Sequence, residues 1–262
     1  MKWVLDLLAN IGAAILRIAE FYGSIGILAA QATVRMFTPP YSIRDIVQQV
    51  ELLGVRSLRL GVFTATAIGA VMALQFVFGL SRFGAKDFVG PVVAVSLLRE
   101  LAPVMIALIV GGRIGSGMAA ELGSMKVGEQ IDAIRALGAD PIRKLIVPRL
   151  AATLIIIPLL SVVADFVGIA GAALLCTSQF DIHFLFFYTS IKQTVIFSDF
   201  FSGIFKSIVF GYLIAIIGCY KGFFTQGGTQ GVGLATTDTV ELLSISILLS
   251  DFFLTKLLMV AL

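Results

Sequence analysis

Five stretches of this chain are each apolar over enough residues to cross a lipid bilayer, which narrows the possible folds sharply. A spanning helix needs about 20 mostly apolar residues. In hydrocarbon only helices and closed barrels satisfy every backbone N–H and C=O. Residues 60–81 lie uncharged between Arg59 and Arg82. Residues 88–112 carry Arg99 and Glu100 in their interior, and residues 150–177 are interrupted by Asp165. Residues 200–220 hold Lys206 near one end, and residues 242–262 hold Asp251 and Lys256.

Composition agrees. The 262 residues are 58% hydrophobic and 13% charged, with a mean hydropathy of +1.02, where soluble domains carry about 45–50% apolar and about 25% charged residues. So little charge cannot cover a water-soluble globule, which excludes soluble enzymes, nucleic-acid binders and disordered chains. The net charge of +3 implies no polyanionic partner. Length allows one or two domains, and the composition favours a single membrane bundle. Cys176 and Cys219 sit inside apolar runs and read as small packing residues. The N-terminus has neither a basic run nor a small-x-small cleavage site, so no cleaved signal peptide is expected.

Residues 1–37 are predicted to form an amphipathic helix lying in the interface, in preference to a sixth span. Trp3, Val4, Leu7, Leu8, Ile11, Ile15 and Ile18 recur at helical spacing, while Lys2, Asp6, Arg17 and Glu20 interrupt the run. Thr38-Pro39-Pro40 ends it, because proline lacks the amide hydrogen and restricts its predecessor. Basic residues concentrate before the first span (Arg35, Arg44, Arg56, Arg59) and in residues 113–149 (Arg113, Lys126, Arg135, Arg143, Lys144, Arg149). The positive-inside rule therefore places the N-terminus and residues 113–149 in the cytoplasm.

Residues 113–149 are far longer than an ordinary helix connection. Residues 119–125 are predicted to form a helical turn or two, and residues 127–137 an amphipathic helix with Ile131, Ile134 and Leu137 on its apolar face. Gly138 fits a helix C-cap, and Asp140-Pro141 fits the start of the next helix. A short cytoplasmic helix between two spans suits a membrane subunit that receives force from a soluble motor. Gly115-Ser-Gly117-Met-Ala-Ala120 matches a dinucleotide-binding pattern, but follows a span where small residues let helices pack closely. No G-x-x-x-x-G-K-[ST] loop occurs, so no ATP hydrolysis by P-loop chemistry is expected of this chain. There is likewise no H-E-x-x-H or G-x-S-x-G, and the lone His183 reads as an interface residue instead of a metal ligand.

Four motifs together resemble a known family. Leu98-Arg99-Glu100-Leu101-Ala102-Pro103 is followed by Gly112-Arg113-Ile-Gly115-Ser-Gly117-Met-Ala-Ala120-Glu121-Leu-Gly123-Ser-Met125. Glu129-Gln130-Ile-Asp132-Ala and the run from Asp140-Pro141-Ile-Arg143 through Val147-Pro148-Arg149 complete the set. They are similar to the MlaE/YrbE permeases, the membrane subunits of lipid-transporting ABC systems that work with MCE-domain proteins. The resemblance implies an all-α membrane protein with five transmembrane helices, an N-terminal interfacial helix and a cytoplasmic coupling helix between spans two and three. It also implies a homodimer in a bacterial inner membrane, two cytoplasmic ATPase subunits that hold the ATP and Mg, an MCE-domain protein on the far side, and phospholipid as substrate.

Charges within spans are costly, about 2.5–3.5 kcal/mol each by insertion scales. Arg99 and Glu100 read either as ion pairs that fix packing or as lipid-binding residues of a cavity between two copies; in the resembled family the matching residues are associated with the lipid pocket. Gln75 reads equally as packing glue or pocket lining. Asp165 reads as a hydrogen-bond partner between helices or as a residue in a wet cavity, Asp251 as a partner within the bundle, and Lys256 as a snorkelling side chain. The family match raises Glu121, Lys126, Glu129 and Asp132 from solvated loop charges to ATPase-contact candidates. The phenylalanine-rich residues 180–201 are expected to form an outer re-entrant or interfacial stretch, and residues 222–237 a flexible cytoplasmic loop. The rival to an ATP-driven lipid permease is an ion-coupled secondary transporter, which would use Asp165 and Asp251.

Overall fold

The computed structural model describes residues 2–39 and 42–261. The side chains of residues 2–11, 14, 17, 18 and 261 lie outside that description. With them go six apolar positions assigned to the N-terminal helix (Trp3, Val4, Leu7, Leu8, Ile11 and Ile18), and Pro40 and Leu262 are outside it entirely. Among the described residues the secondary structure is helical, with no strand. The helices are α1 (Lys2–Met36), α2 (Ile43–Ser81), α3 (Lys86–Val127), α4 (Gln130–Ala136), α5 (Ile142–Gln179), α6 (Phe184–Thr194), α7 (Phe197–Phe223) and α8 (Gly228–Ala261). Five of them, α2, α3, α5, α7 and α8, are long and apolar enough to cross a membrane. The all-α architecture with five spans is therefore as the sequence predicts.

Each spanning helix runs beyond its apolar stretch, most at the basic end. Helix α2 begins at Ile43 and passes through a π turn at Glu51–Val55 before its apolar length. Helix α3 continues to Val127, so residues 119–125 extend the span and do not form a separate turn. The amphipathic helix placed at residues 127–137 shortens to α4, with Glu129 preceding it in left-handed backbone at φ 57°. Ile131 is buried and Ile134 partly so, as the apolar face requires, but Leu137 is exposed. Gly138 takes φ 76°, and the Asp140 carboxylate accepts the Ile142 N–H at 3.0 Å, so both caps stand as read.

Residues 222–237 are not a flexible loop. Helix α8 starts at Gly228, and its Ala235, Thr239, Leu243 and Ile247 bury one face at four-residue spacing. That packing overrides a composition rich in glycine and threonine, since tertiary contacts outweigh intrinsic preference. In the phenylalanine-rich region, α6 exposes Phe184, Leu185, Phe186 and Tyr188 and buries Phe187. Among the described residues, helix α1 is not one of the helices long and apolar enough to span. Its second half is tied to the bundle where Ser24 bonds Tyr220 at 2.7 Å and Thr33 bonds Tyr212 at 2.9 Å.

Helices α2 and α5 approach through small residues. The buried face of α2 reads Ser57, Gly61, Ala65, Gly69, Ala73, Val77, one residue per four. In lipid this pattern lets backbones meet, because no hydrophobic effect drives apolar helices together. A β-carbon at Gly69 would collide with the Gly168 carbonyl of α5. Gly69→Val should therefore cost about 1–3 kcal/mol or more through overpacking. Lower thermal stability of the detergent-purified variant would show this, with Gly79→Val, which meets nothing within 4 Å, unchanged.

Candidate functional site

The interior of α3 is not a regular helix. π turns occupy Leu97–Leu101 and Ile106–Val110, flanking Pro103. Proline has no N–H to give to the carbonyl of Arg99, and its ring crowds that carbonyl. A widened turn just ahead of Pro103 relieves both problems, and such turns recur at functional sites. Arg99 and Glu100 sit within that widened turn.

Both side chains find partners on α7. Arg99 donates from Nε to Asp199 Oδ1 at 2.5 Å, and its Nη2 lies 2.5 Å from the same oxygen. Asp199 Oδ2 accepts the Ile196 N–H at 3.0 Å, so this carboxylate also closes the N-terminal turn of α7. The positive end of that helix favours a negative charge there. Two turns further along α7, Lys206 Nζ donates to Glu100 Oε2, to Asp251 Oδ1 at 3.0 Å and to Thr255 Oγ1 at 2.6 Å. The last two residues are on α8. All three ammonium protons are thus accounted for.

The two pairs are built alike. Asp199 and Lys206 have side chains 2% and 1% exposed, while their partners Arg99 and Glu100 are 40% and 38% exposed. A buried member anchors and a half-exposed member faces a cavity of about 190 Å³. Arg99, Glu100, Ser202, Lys206 and Thr255 give that cavity a polar wall, and Leu258 and Met259 an apolar one. The contacts to Asp199 engage Nε and Nη2 of Arg99, so the guanidinium keeps donors for an anion entering the cavity.

The structure therefore brings Arg99 and Glu100 together, with Lys206, Asp199, Asp251 and Thr255 added. Gln75 is not among the cavity's lining residues, and lies on the exposed face of α2. Asp165 is buried with Oδ1 unpartnered among the described residues, and Ser161 Oγ one turn before it is the same. Lys256 is exposed, as a snorkelling side chain would be.

The four cytoplasmic candidates divide. Glu121 is bound to the buried Arg149 at 2.8 Å. Lys126 bonds Asp132 at 2.8 Å and closes the corner between α3 and α4. Glu129 is exposed at that corner. The hydrogen bond from Lys126 holds the Asp132 carboxyl below its usual range. A carboxyl lowered on folding contributes stability above its unfolded pKa, which is lost as pH falls through the folded value.

A family model described as Permease MlaE matches residues 46–257, which includes Arg99, Glu100, Asp199, Lys206, Asp251 and Thr255. The chain belongs to the MlaE permease family. It is 38% identical over 254 residues to a probable ABC transporter permease of Rickettsia bellii, covering 97% of this chain and 98% of that one. A probable ABC transporter permease of Synechocystis is 38% identical over 230 residues, 88% of both chains. The chloroplast protein Trigalactosyldiacylglycerol 1 of Arabidopsis thaliana is 38% identical over 233 residues, covering 89% of this chain and 67% of that one. This MlaE-family permease thus carries the half-exposed members of its ion-pair network, Arg99 and Glu100, in the span whose motifs first suggested the family.

Lys206→Met would leave Glu100 and Asp251 facing each other without their shared cation. Removing one partner of a buried pair costs about 3–5 kcal/mol, and the purified variant should melt at a correspondingly lower temperature. Glu100→Gln added to it should recover part of the loss, because it removes one of the stranded charges. Two strictly additive losses would mean that Glu100 and Lys206 are not coupled.

Proposed function

We propose that this permease is the non-catalytic membrane subunit of an ATP-driven phospholipid transporter, with two copies enclosing lipid at the Arg99–Glu100 cavity. The observation that carries this reading is the half-exposed guanidinium of Arg99, anchored on buried Asp199 and turned to a cavity with one apolar wall. A phosphate is the ligand that such a donor edge fits, and the apolar wall suits the start of an acyl chain. The name of the Arabidopsis relative refers to a diacylglycerol glycolipid, and the bacterial relatives are named ABC transporter permeases. Both support lipid moved by a complex with an ATPase.

A cavity of about 190 Å³ holds a headgroup and not a whole phospholipid. The acyl chains need more apolar surface, and α8 offers Leu248, Leu249, Phe252, Phe253 and Leu257, all exposed. A second copy facing α8 would enclose them. Gln75 enters this reading as a polar group on a face left for that second copy.

The chain has no P-loop, so ATP and Mg belong to a separate cytoplasmic ATPase, for which α4 and the corner at Glu129 are the contact. An MCE-domain protein takes or delivers lipid on the far side. The setting is a bacterial inner membrane with the N-terminus in the cytoplasm, which the basic residues at that end support. The ion-coupled alternative loses ground because Asp251, one of its two carboxylates, is committed to Lys206.

In reconstituted complex, Arg99→Ala should lower phospholipid transfer about tenfold or more, the worth of one charge-assisted hydrogen bond, with the subunits still assembled. Unchanged transfer would remove Arg99 from the lipid site. Glu129→Lys should reduce co-purification of the ATPase, whereas Glu241→Lys, an exposed residue of α8, should not. Native stoichiometry with Glu129→Lys would count against the corner as a contact.

A further inference from the structure

We propose a second site for an anionic phosphate headgroup at the basic end of the bundle, built on Arg56 and Arg113. The proposal rests on the phospholipid reading above and adds a second station for the same substrate class. Between α2, α3 and α8 lies a cavity of about 410 Å³. Arg113 crosses it, with Nη1 donating to the Arg56 carbonyl at 3.2 Å and to Ser57 Oγ at 2.8 Å. Ser57 is fully buried, so the guanidinium is fixed at one corner and keeps its remaining N–H donors for a ligand.

The Arg56 side chain lines the same cavity and makes no ion pair among the described residues. One carboxylate, Glu121, shares the lining, but buried Arg149 neutralises it at 2.8 Å. A neighbouring cavity that shares Leu52 and Arg56 brings Glu51 to the outer rim. Two uncompensated guanidiniums therefore face a space whose floor is Leu53, Ile114 and Met118. Cations over an apolar floor suit an amphiphile with a phosphate head better than a fully hydrated ion.

The placement along the bundle supports this. Helix α8 lines the new cavity at Thr236 and the Arg99 cavity at Thr255. At a rise of about 1.5 Å per residue those positions are about 28 Å apart along α8, and Arg99 and Arg113 are about 21 Å apart along α3, so the two cavities sit at different depths of the bundle. Helix α3 also lines both cavities, with Arg99 and Glu100 in one and Arg113 in the other. A phosphate headgroup thus meets a guanidinium at two depths of the bundle, along one seam between α3 and α8.

The test uses the full chain in nanodiscs of phosphatidylcholine containing spin-labelled phosphatidylglycerol, with Arg99→Ala as background so that the first cavity contributes little. Adding Arg56→Gln keeps the backbone carbonyl that anchors Arg113. It should weaken phosphatidylglycerol binding about tenfold, the worth of one charge-assisted hydrogen bond. Arg56→Lys should retain most of the binding, and the melting temperature should stay the same in both. A second arm titrates the delipidated chain with inorganic phosphate. Binding of phosphate that depends on Arg56, without retained lipid, would uphold the anion site with free phosphate as its occupant. Equal binding of lipid and of phosphate with and without Arg56→Gln would overturn the site while leaving the Arg99 cavity standing. A wild-type chain that neither retains phospholipid nor binds phosphate would overturn both readings.

Discussion

Burying an ammonium group in a membrane bundle is the constraint on which the site depends. Lys206 is among the most enclosed large side chains of the described residues, and an isolated buried charge costs several kcal/mol. Its three protons must each find an oxygen, and the oxygens belong to Glu100, Asp251 and Thr255 on two other helices. Satisfying Lys206 thereby sets α3, α7 and α8 relative to one another. Asp199 lies seven residues before Lys206 on the same face of α7 and does the same for Arg99. Adjacent residues of a regular helix point about 100° apart. Arg99 and Glu100 accordingly reach two different partners two turns apart on α7, from a widened turn that Pro103 helps to impose.

Much of this was legible in the sequence. The five spans follow from uninterrupted apolar length, and the caps at Gly138 and Asp140 follow from local chemistry that needs no partner helix. Arg99 and Glu100 stood out because charges inside an apolar run demand an explanation. Lys206 and Asp199 did not, although the same argument applied to Lys206. It sat near one end of its apolar stretch, where a lysine ordinarily snorkels to water. Extended to Phe197, α7 places it two and a half turns inside the helix. The signal that would have found it is charge balance: Glu100 and Asp251 in apolar stretches need a cation from another helix, and Lys206 supplies it.

The helix lengths show a second limit of reading by composition. Residues 228–241 are rich in polar and small residues, and nothing local asks them to be helical beyond the buried repeat of Ala235 and Thr239. Their conformation is decided by α3, where Leu243 and Thr239 fill the space left by Gly115. In the same way Leu137 belongs by periodicity to the apolar face of α4, yet it is exposed because the helix ends at Ala136.

The charge network also bears on why it exists. A buried salt bridge is weak evidence for stability, since apolar residues of similar volume often hold a fold as well or better. Leucines in place of Glu100, Lys206 and Asp251 would join three helices in hydrocarbon at less desolvation cost. What leucines would not provide is a carboxylate and a guanidinium held half open to a cavity by partners that are themselves almost fully buried. The asymmetry of exposure within each pair makes sense for a site that must present charge to something that enters. It makes little sense for a clamp, which would gain most from burying both members.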